Sequence, residues 1–330
     1  MAPHPQRLTV TRRGWALARP FTTAHGVKTT ADVVIAEISD GDGRGRGECV
    51  PVGRYGESID SVVAALDAMK GAIFSGLNRE TLQRALPPGA ARNALDCAFW
   101  DIEAKHAYRS VAELAGLGAV TPVVTAFTLA LDTPEKMAEQ AAANRDRPLL
   151  KLKLGSDGDI ERVRAVRHAA PASRLIVDAN ESWNEPQLSE FMPALANFRV
   201  ELIEQPLPAD ADDVLARVER PIPLCADESC RTLADLDRLD GRYEAVNIKL
   251  DKAGGLTEAL ALTAEAKRRG FRIMVGGMIG TSLGIAPALL IAQQAEIVDL
   301  DGPLLLASDR FPGLHYDGST IYPPDPNFWG

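Results

Sequence analysis

Three acidic residues stand near the ends of successive apolar runs: Asp178 in RLIVDAN, Glu204 in VELIEQP and Asp227 in IPLCADES. They are 26 and 23 residues apart, which is one strand-plus-helix unit per step. In a parallel β/α barrel that spacing brings strand ends onto one rim, where residues distant in sequence can converge on one divalent cation. Converging carboxylates repel unless protonated or neutralised, and oxygen ligands of this kind suit a hard cation such as Mg²⁺. A lone Asp or Glu after a strand is ordinarily a helix cap or a salt-bridge partner. Three in one register favour a metal, with a structural salt-bridge network as the alternative.

Lysines flank the acids on both sides. Lys151 and Lys153 lie in LLKLKLG, and Lys249 lies in AVNIKLDK, 22 residues after Asp227. Side chains two apart on a strand point together, so Lys151 and Lys153 share one face while Leu152 and Leu154 take the other. Counted around an eight-stranded ring, their strand is second and that of Lys249 sixth, diametrically opposite. Two lysines then face each other across a bound substrate. A lysine among apolar strand residues is costly unless paired or functional. Nearby cations and desolvation would lower its pKa and free a neutral amine as general base. The chemistry implied is proton transfer beside a metal.

The elements that must position these residues are legible in outline. RLTVTRRGWALARP and ADVVIAEISDGDGRGRGECV read as strands broken by Gly/Asp turns, whereas SIDSVVAALDAMKGAIF and AARNALDCAFWDIEAKHAY carry helical spacing. Strands followed by helices suggest an α+β capping domain over residues 1–118. A sustained alternation follows, with eight candidate strands: PVVTAFTL, PLLKLKL, RLIVDAN, VELIEQP, IPLCADE, AVNIKLD, FRIMVGG and EIVDLDG. Seven segments between them can be helical, TPEKMAEQAAANR and LTEALALTAEAKRRG among them. The fold expected is α/β, a (β/α)7β TIM-like barrel over 119–307. The tail, 308–330, is rich in Pro, Gly and aromatics and is expected to return to the capping domain.

Composition narrows the function. The chain has 330 residues, 46% hydrophobic and 25% charged, enough for a substantial core. A net charge of −9 without a Lys/Arg block disfavours nucleic acid or an anionic membrane as partner. No stretch reaches the length of a membrane span, and MAPHPQRLTV lacks the apolar core of a signal peptide, so the location expected is cytoplasmic. Cys49, Cys97, Cys225 and Cys230 show no CxxC spacing and read as buried thiols. The five histidines show no metal-ligand spacing, so zinc is not expected.

Together these motifs resemble the enolase superfamily, specifically its dipeptide epimerases, the group that includes L-Ala-D/L-Glu epimerases. The resemblance spans nearly the whole chain. KLKLG matches the family's K-x-K, Asp178, Glu204 and Asp227 match its metal ligands, and Lys249 matches the opposing lysine. Asp299 and Asp301 in DLD match the D-x-D that holds the substrate's α-ammonium group, although DLDGP also reads as a strand-to-turn sequence. The resemblance implies one Mg²⁺ per subunit, a dipeptide substrate and an isomerase that inverts the α-carbon of the C-terminal residue. Lys151 and the metal would stabilise the enediolate, while Lys153 and Lys249 remove and return the proton on opposite faces. A homo-oligomer is left open.

Other residues are weaker candidates. Lys28, in PFTTAHGVKTTADV, stands where members acting on Ala-Glu carry a basic residue, with His25 nearby; it reads equally as a solvated loop lysine. Thr128 is expected to contact substrate, Asn180 to support the metal shell, and Glu228 to be structural. GGMIGTSLG is expected to wall the pocket. The alternatives are another enolase-superfamily enzyme (an N-acylamino acid racemase, an o-succinylbenzoate synthase or a muconate-type cycloisomerase) and a Schiff-base aldolase barrel.

Overall fold

The computed structural model describes residues 5–155 and 157–330. Residues 1–4, part of the decapeptide read above for a leader, lie outside them. An antiparallel sheet opens the chain: Arg7–Thr23, Gly26–Ser39 and Arg44–Cys49. In its middle strand Val34, Ala36 and Ile38 are buried while Ile35, Glu37 and Ser39 are half-covered, the period-two pattern of a strand with one face on a core. Helix Ala90–Ala107 lies on that face. It can do so because of RGRGEC: a Cβ on Gly45 would stand 2.1 Å from Ala98 O, and one on Gly47 2.1 Å from Ala94 O. The helix is buried on its other side as well. Arg92 donates to Gly254 O at 3.0 Å and Ala253 O at 2.7 Å, and Asp96 accepts from Thr257 N at 2.9 Å, bonding cap to barrel.

Eight parallel strands form the barrel in chain order: Phe127–Leu129, Leu149–Lys153, Arg174–Asp178, Val200–Glu204, Leu224–Ala226, Ala245–Ile248, Arg272–Gly276 and Ile297–Asp299. Ala126 N donates to Val298 O at 2.7 Å, joining the last strand to the first. PVVTAFTL, expected as one strand, is two. Val123–Val124 leaves the barrel and pairs with the tail hairpin Tyr316–Asp317/Thr320–Ile321. The last residues then dock on the long helix of the cap, with Trp329 Nε1 donating to Cys97 O and Gly330 N to Asp101 Oδ1. The fourth connection is shorter than the expected helix, a 3-10 turn at Asp212–Arg217. Among the described residues, no helix is long and apolar enough to cross a membrane.

The barrel floor explains the site above it. Ala126, Leu149, Ile176, Leu202, Cys225, Ala245, Met274 and Ile297, one from each strand or its first step, form a closed apolar layer. Inward positions recur every second residue. The next layer up is therefore Thr128, Lys151, Asp178, Glu204, Asp227, Asn247, Gly276 and Asp299. The layer above that includes Lys153, Asn180, Lys249 and Asp301.

Gly47→Ala tests the cap's packing. A methyl group cannot occupy backbone-contact distance without moving the helix, so stability should fall by about 2 kcal/mol, read from the urea midpoint. An unchanged midpoint would contradict the close approach.

Candidate active site

The second layer carries opposite charges within reach of one another. Oxygens of Asp178, Glu204 and Asp227 all lie within 4.8 Å of each other, on the third, fourth and fifth strand ends. Lys151, 1% exposed, places its Nζ 2.6 Å from Glu204 Oε2, 2.7 Å from Asp299 Oδ2 and 3.1 Å from Asp178 Oδ2. Lys153 Nζ is 2.5 Å from Asp178 Oδ2. Lys249 Nζ, across the ring, is 2.6 Å from Asp227 Oδ2 and 3.9 Å from Glu204 Oε1. Each lysine thus faces the cavity from its own side with a carboxylate beside it. Room for Lys249 comes from Gly276, where a Cβ would stand 2.9 Å from Lys249 Cε.

Burial raises the cost of every charge here, and the neighbours decide its sign. Burial pushes the Asp178 carboxyl up, but Lys153 and Lys151 outweigh it and hold the group below its usual range. Asp227 is likewise held well below, by Lys249 and Lys252 against burial. Glu204 goes the other way: burial and then Asp178 push it up. Glu228 is raised by burial and Asp227, and Asp301 by burial and Asp299. The lowered lysine pKa expected from the sequence is not what the carboxylates produce. Against the penalty of burial, Asp299 and Glu204 raise Lys151, and Asp227 and Glu204 raise Lys249.

The donor set fits a hard divalent cation. Asp178, Glu204, Asp227, Glu228, Asp299 and Asp301 gather at the cavity floor beside Lys151, Lys153, Lys249 and Lys252, so acids outnumber the lysines set among them. Glu204 Oε2 and Asn180 Oδ1 are buried without a hydrogen-bond partner. Lys151 lies close to Glu204 Oε2, but off the direction of a hydrogen bond. Oxygen ligands from three strands, with the unpartnered Asn180 Oδ1 nearby, are what Mg²⁺ takes.

The cavity above measures about 460 Å³ and has a polar floor and a mixed upper wall. Asp299 and Asp301 lie on one flank: Thr128 N donates to Asp301 Oδ2 at 2.6 Å and Thr128 Oγ1 to Asp299 Oδ1 at 3.4 Å. Thr128 lines the cavity and also orients both acids. The cap supplies Phe21, His25, Lys28 and the segment 50–55. Lys28 is exposed as a residue, yet its ammonium lies among enough atoms for burial to lower its pKa, with Asp32 opposing and Lys153 adding to the fall. His25, at the hairpin tip, comes within 4.8 Å of Glu181 and Glu228 oxygens. Glu181 is already engaged by Arg54 at 2.7 and 2.9 Å and by Ala209 N at 2.7 Å, which pins the cap loop to the barrel rim. Asn180 N donates to Asp178 Oδ1 at 3.0 Å and its side chain reaches Glu228 at 3.5 Å. Met278, in GGMIGTSLG, lines the wall with Ile279.

Sequence reasoning missed Asn247, Lys252 and Gln205. Asn247 donates to Glu204 Oε1 at 2.7 Å. It lies two residues before Lys249 on the inward face, so alternation alone could have found it.

The chain matches two family descriptions: the mandelate racemase / muconate lactonizing enzyme N-terminal domain over residues 6–116, and the enolase C-terminal domain-like family over 136–305. This chain belongs to the enolase superfamily. It is 47% identical to the L-Ala-D/L-Glu epimerase of Escherichia coli over 95% of this chain and 98% of the relative. It is 46% identical to an N-acetyl-D-glutamate racemase of Pseudoalteromonas over 90% and 95%. An enolase family member from Agrobacterium tumefaciens, described as homologous to dipeptide epimerases and solved with sodium and L-Ala-L-Glu, superposes with a TM-score of 0.97. It is 52% identical, over 99% of this chain and all of that one.

If the carboxylate cluster of the folded chain is the Mg²⁺ site, Mg²⁺ should raise the melting temperature of the purified protein. Glu204→Gln should erase that rise. A Mg²⁺ shift of wild-type size in the variant would remove Glu204 from the donor set.

Proposed function

We propose that this chain is a Mg²⁺-dependent isomerase, a dipeptide epimerase of the L-Ala-D/L-Glu type that inverts the α-carbon of the C-terminal residue. The observation that carries the reading is the position of Lys153 and Lys249 at the ends of the second and sixth strands, on opposite sides of the carboxylate cluster. In this reading Asp178, Glu204 and Asp227 hold the cation. When bound, it supplies positive charge against the negative charge that grows on the substrate carboxylate as the α-proton leaves. Lys151, fixed among Glu204, Asp299 and Asp178, adds a permanent cation at the same place. One of Lys153 and Lys249 takes the proton as a neutral amine, and the other returns one to the opposite face as an ammonium. Cation charge on Asp227 and Glu204 would offset the field by which they raise Lys249.

Asp299 and Asp301 take the substrate's α-ammonium in this assignment. Burial first and then Asp299 raise the Asp301 carboxyl, and a neighbouring ammonium would favour its charged form. Lys28, with His25 beside it on the hairpin, supports an acidic C-terminal side chain. The racemase among the relatives supports a second reading, in which an N-acylated glutamate occupies the cavity. Such a substrate offers no ammonium to two buried acids, so the Asp pair favours the dipeptide.

The two-base assignment is checked by proton NMR in deuterated water with Ala-Glu epimers. Lys153→Ala and Lys249→Ala should each lower epimerisation about a thousandfold, while each still exchanges the α-proton of one epimer, a different one for each variant. Normal epimerisation by both would end the assignment.

The substrate assignment is checked by comparing free with N-acetylated dipeptides. The parent should strongly prefer the free amine, and Asp301→Asn should lower kcat/KM for it about a hundredfold, since a buried ammonium loses its charged partner. Equal kcat/KM on both substrate classes in the parent would move the chain to the racemase reading. Lys28→Ala should cost more on Ala-Glu than on Ala-Leu; equal losses would leave Lys28 a bystander.

A further inference from the structure

Asp227 begins a tight turn closed by Cys230 N, which donates to Asp227 O at 3.1 Å. Two side chains grip this turn from opposite sides, and neither reaches solvent. Gln205 directly follows Glu204 on the neighbouring strand. Its Oε1 accepts from Asp227 N at 2.9 Å and Ser229 N at 3.1 Å. Its Nε2 donates to Leu207 O at 2.8 Å, Ser229 Oγ at 2.9 Å and Tyr243 OH at 3.0 Å. Lys252 takes the turn's other polarity. Its Nζ donates to Asp227 O, to Asp227 Oδ1 at 2.6 Å, to Cys230 O at 2.8 Å and to Asn247 O at 2.9 Å.

An amide oxygen therefore collects the turn's N–H groups while an ammonium collects its oxygens. Gln205 does this at φ +34°, a left-handed conformation that a side chain with a Cβ holds only when its surroundings over-determine it. Those surroundings run outward. Ser229 Oγ and Tyr243 OH, which accept from Gln205, both donate to the buried Asp212 at 2.6 and 3.0 Å, and Arg238 and Arg242 pair with Asp212 at 3.1 and 2.9 Å. One hydrogen-bonded chain thus leads from the protein's outer side to the backbone of Asp227.

We infer that Gln205 and Lys252 are positioning residues that fix the Asp227 carboxylate against Glu204, and so set the affinity for the divalent cation. Lys252 engages Oδ1 and leaves Oδ2 toward Lys249 and the cavity. Gln205 locks the start of the turn beside Glu204, so its amide adds to the backbone pairing of Glu204 with Cys225 in fixing the spacing of the two carboxylates. This rests on the reading of Asp178, Glu204 and Asp227 as the cation ligands. Neither residue touches the reacting atoms.

The test is isothermal titration of Mg²⁺ into the full chain without substrate, beside the melting temperature of the metal-free protein. Lys252→Met and Gln205→Met should raise the Mg²⁺ Kd about 10- to 100-fold, and Lys252→Arg should recover part of the loss by restoring the cation. Folded Met variants that bind Mg²⁺ within about twofold of wild type would overturn the inference, whatever their melting temperatures, because a purely structural role lowers stability without changing affinity. Ser229→Ala removes one anchor of Gln205 without deleting a charge, and keeps the question answerable should either Met variant fail to fold. It should weaken Mg²⁺ binding about threefold, and wild-type affinity in it would also overturn the inference. If the wild-type chain itself takes up no Mg²⁺, the ligand reading beneath it fails first.

Discussion

Charges removed from water must be matched inside the protein, and the floor of this barrel leaves no alternative. Eight apolar side chains close the bottom, so the ammonium of Lys151 meets only carboxylates: Asp178, Glu204 and Asp299. A buried pair that loses one partner typically costs about 3–5 kcal/mol. Here each lysine serves at least one acid and Lys151 serves three, so the cluster's geometry is mutually dependent. The same low-dielectric setting that makes mismatch expensive makes a fixed cation effective where negative charge develops on a substrate. Stability and the proposed chemistry draw on one arrangement.

The capping domain keeps that arrangement roofed. Val50 N and Asn93 Nδ2 both donate to Asp251 Oδ1, at 3.0 and 2.8 Å, so the cap is tied to a residue two positions after Lys249. Glu48 takes Thr281 N and Oγ1 at 2.7 and 2.6 Å, tying the same strand end to the seventh connection. Arg54 grips Glu181 just beyond Asp178. The loop that covers the cavity is therefore bonded to the neighbours of the residues it covers. The close approach at Gly45 and Gly47 sets how deeply the long helix sits between sheet and barrel, and with it the reach of these ties.

The strand ends were legible because charge interrupts apolar runs at regular spacing. Lys151, Asp178, Glu204 and Asp227 each follow a hydrophobic stretch, and the barrel's register turns that one-dimensional pattern into a ring. Other features were hidden for identifiable reasons. Val123–Val124 carries the composition of a barrel strand, and only pairing with Thr320–Ile321, far away in sequence, takes it elsewhere. The 3-10 turn at Asp212–Arg217 hides in a stretch whose composition tolerates a longer helix. Gln205 and Lys252 look unremarkable in EQP and LDK, because their role lies in backbone groups of a turn that has no sequence signature. The lysine pKa values could not be anticipated from burial alone: the number of carboxylates facing each amine decides the sign.

The central claim is that one α-carbon lies between two lysines on opposite faces. A crystal structure of the chain with Mg²⁺ and L-Ala-L-Glu measures this directly. The account predicts Lys153 Nζ and Lys249 Nζ on opposite sides of the glutamate α-carbon, each within about 3–3.5 Å, with the peptide's ammonium between Asp299 and Asp301. Both amines on one face, or either turned away from the α-carbon, would contradict it.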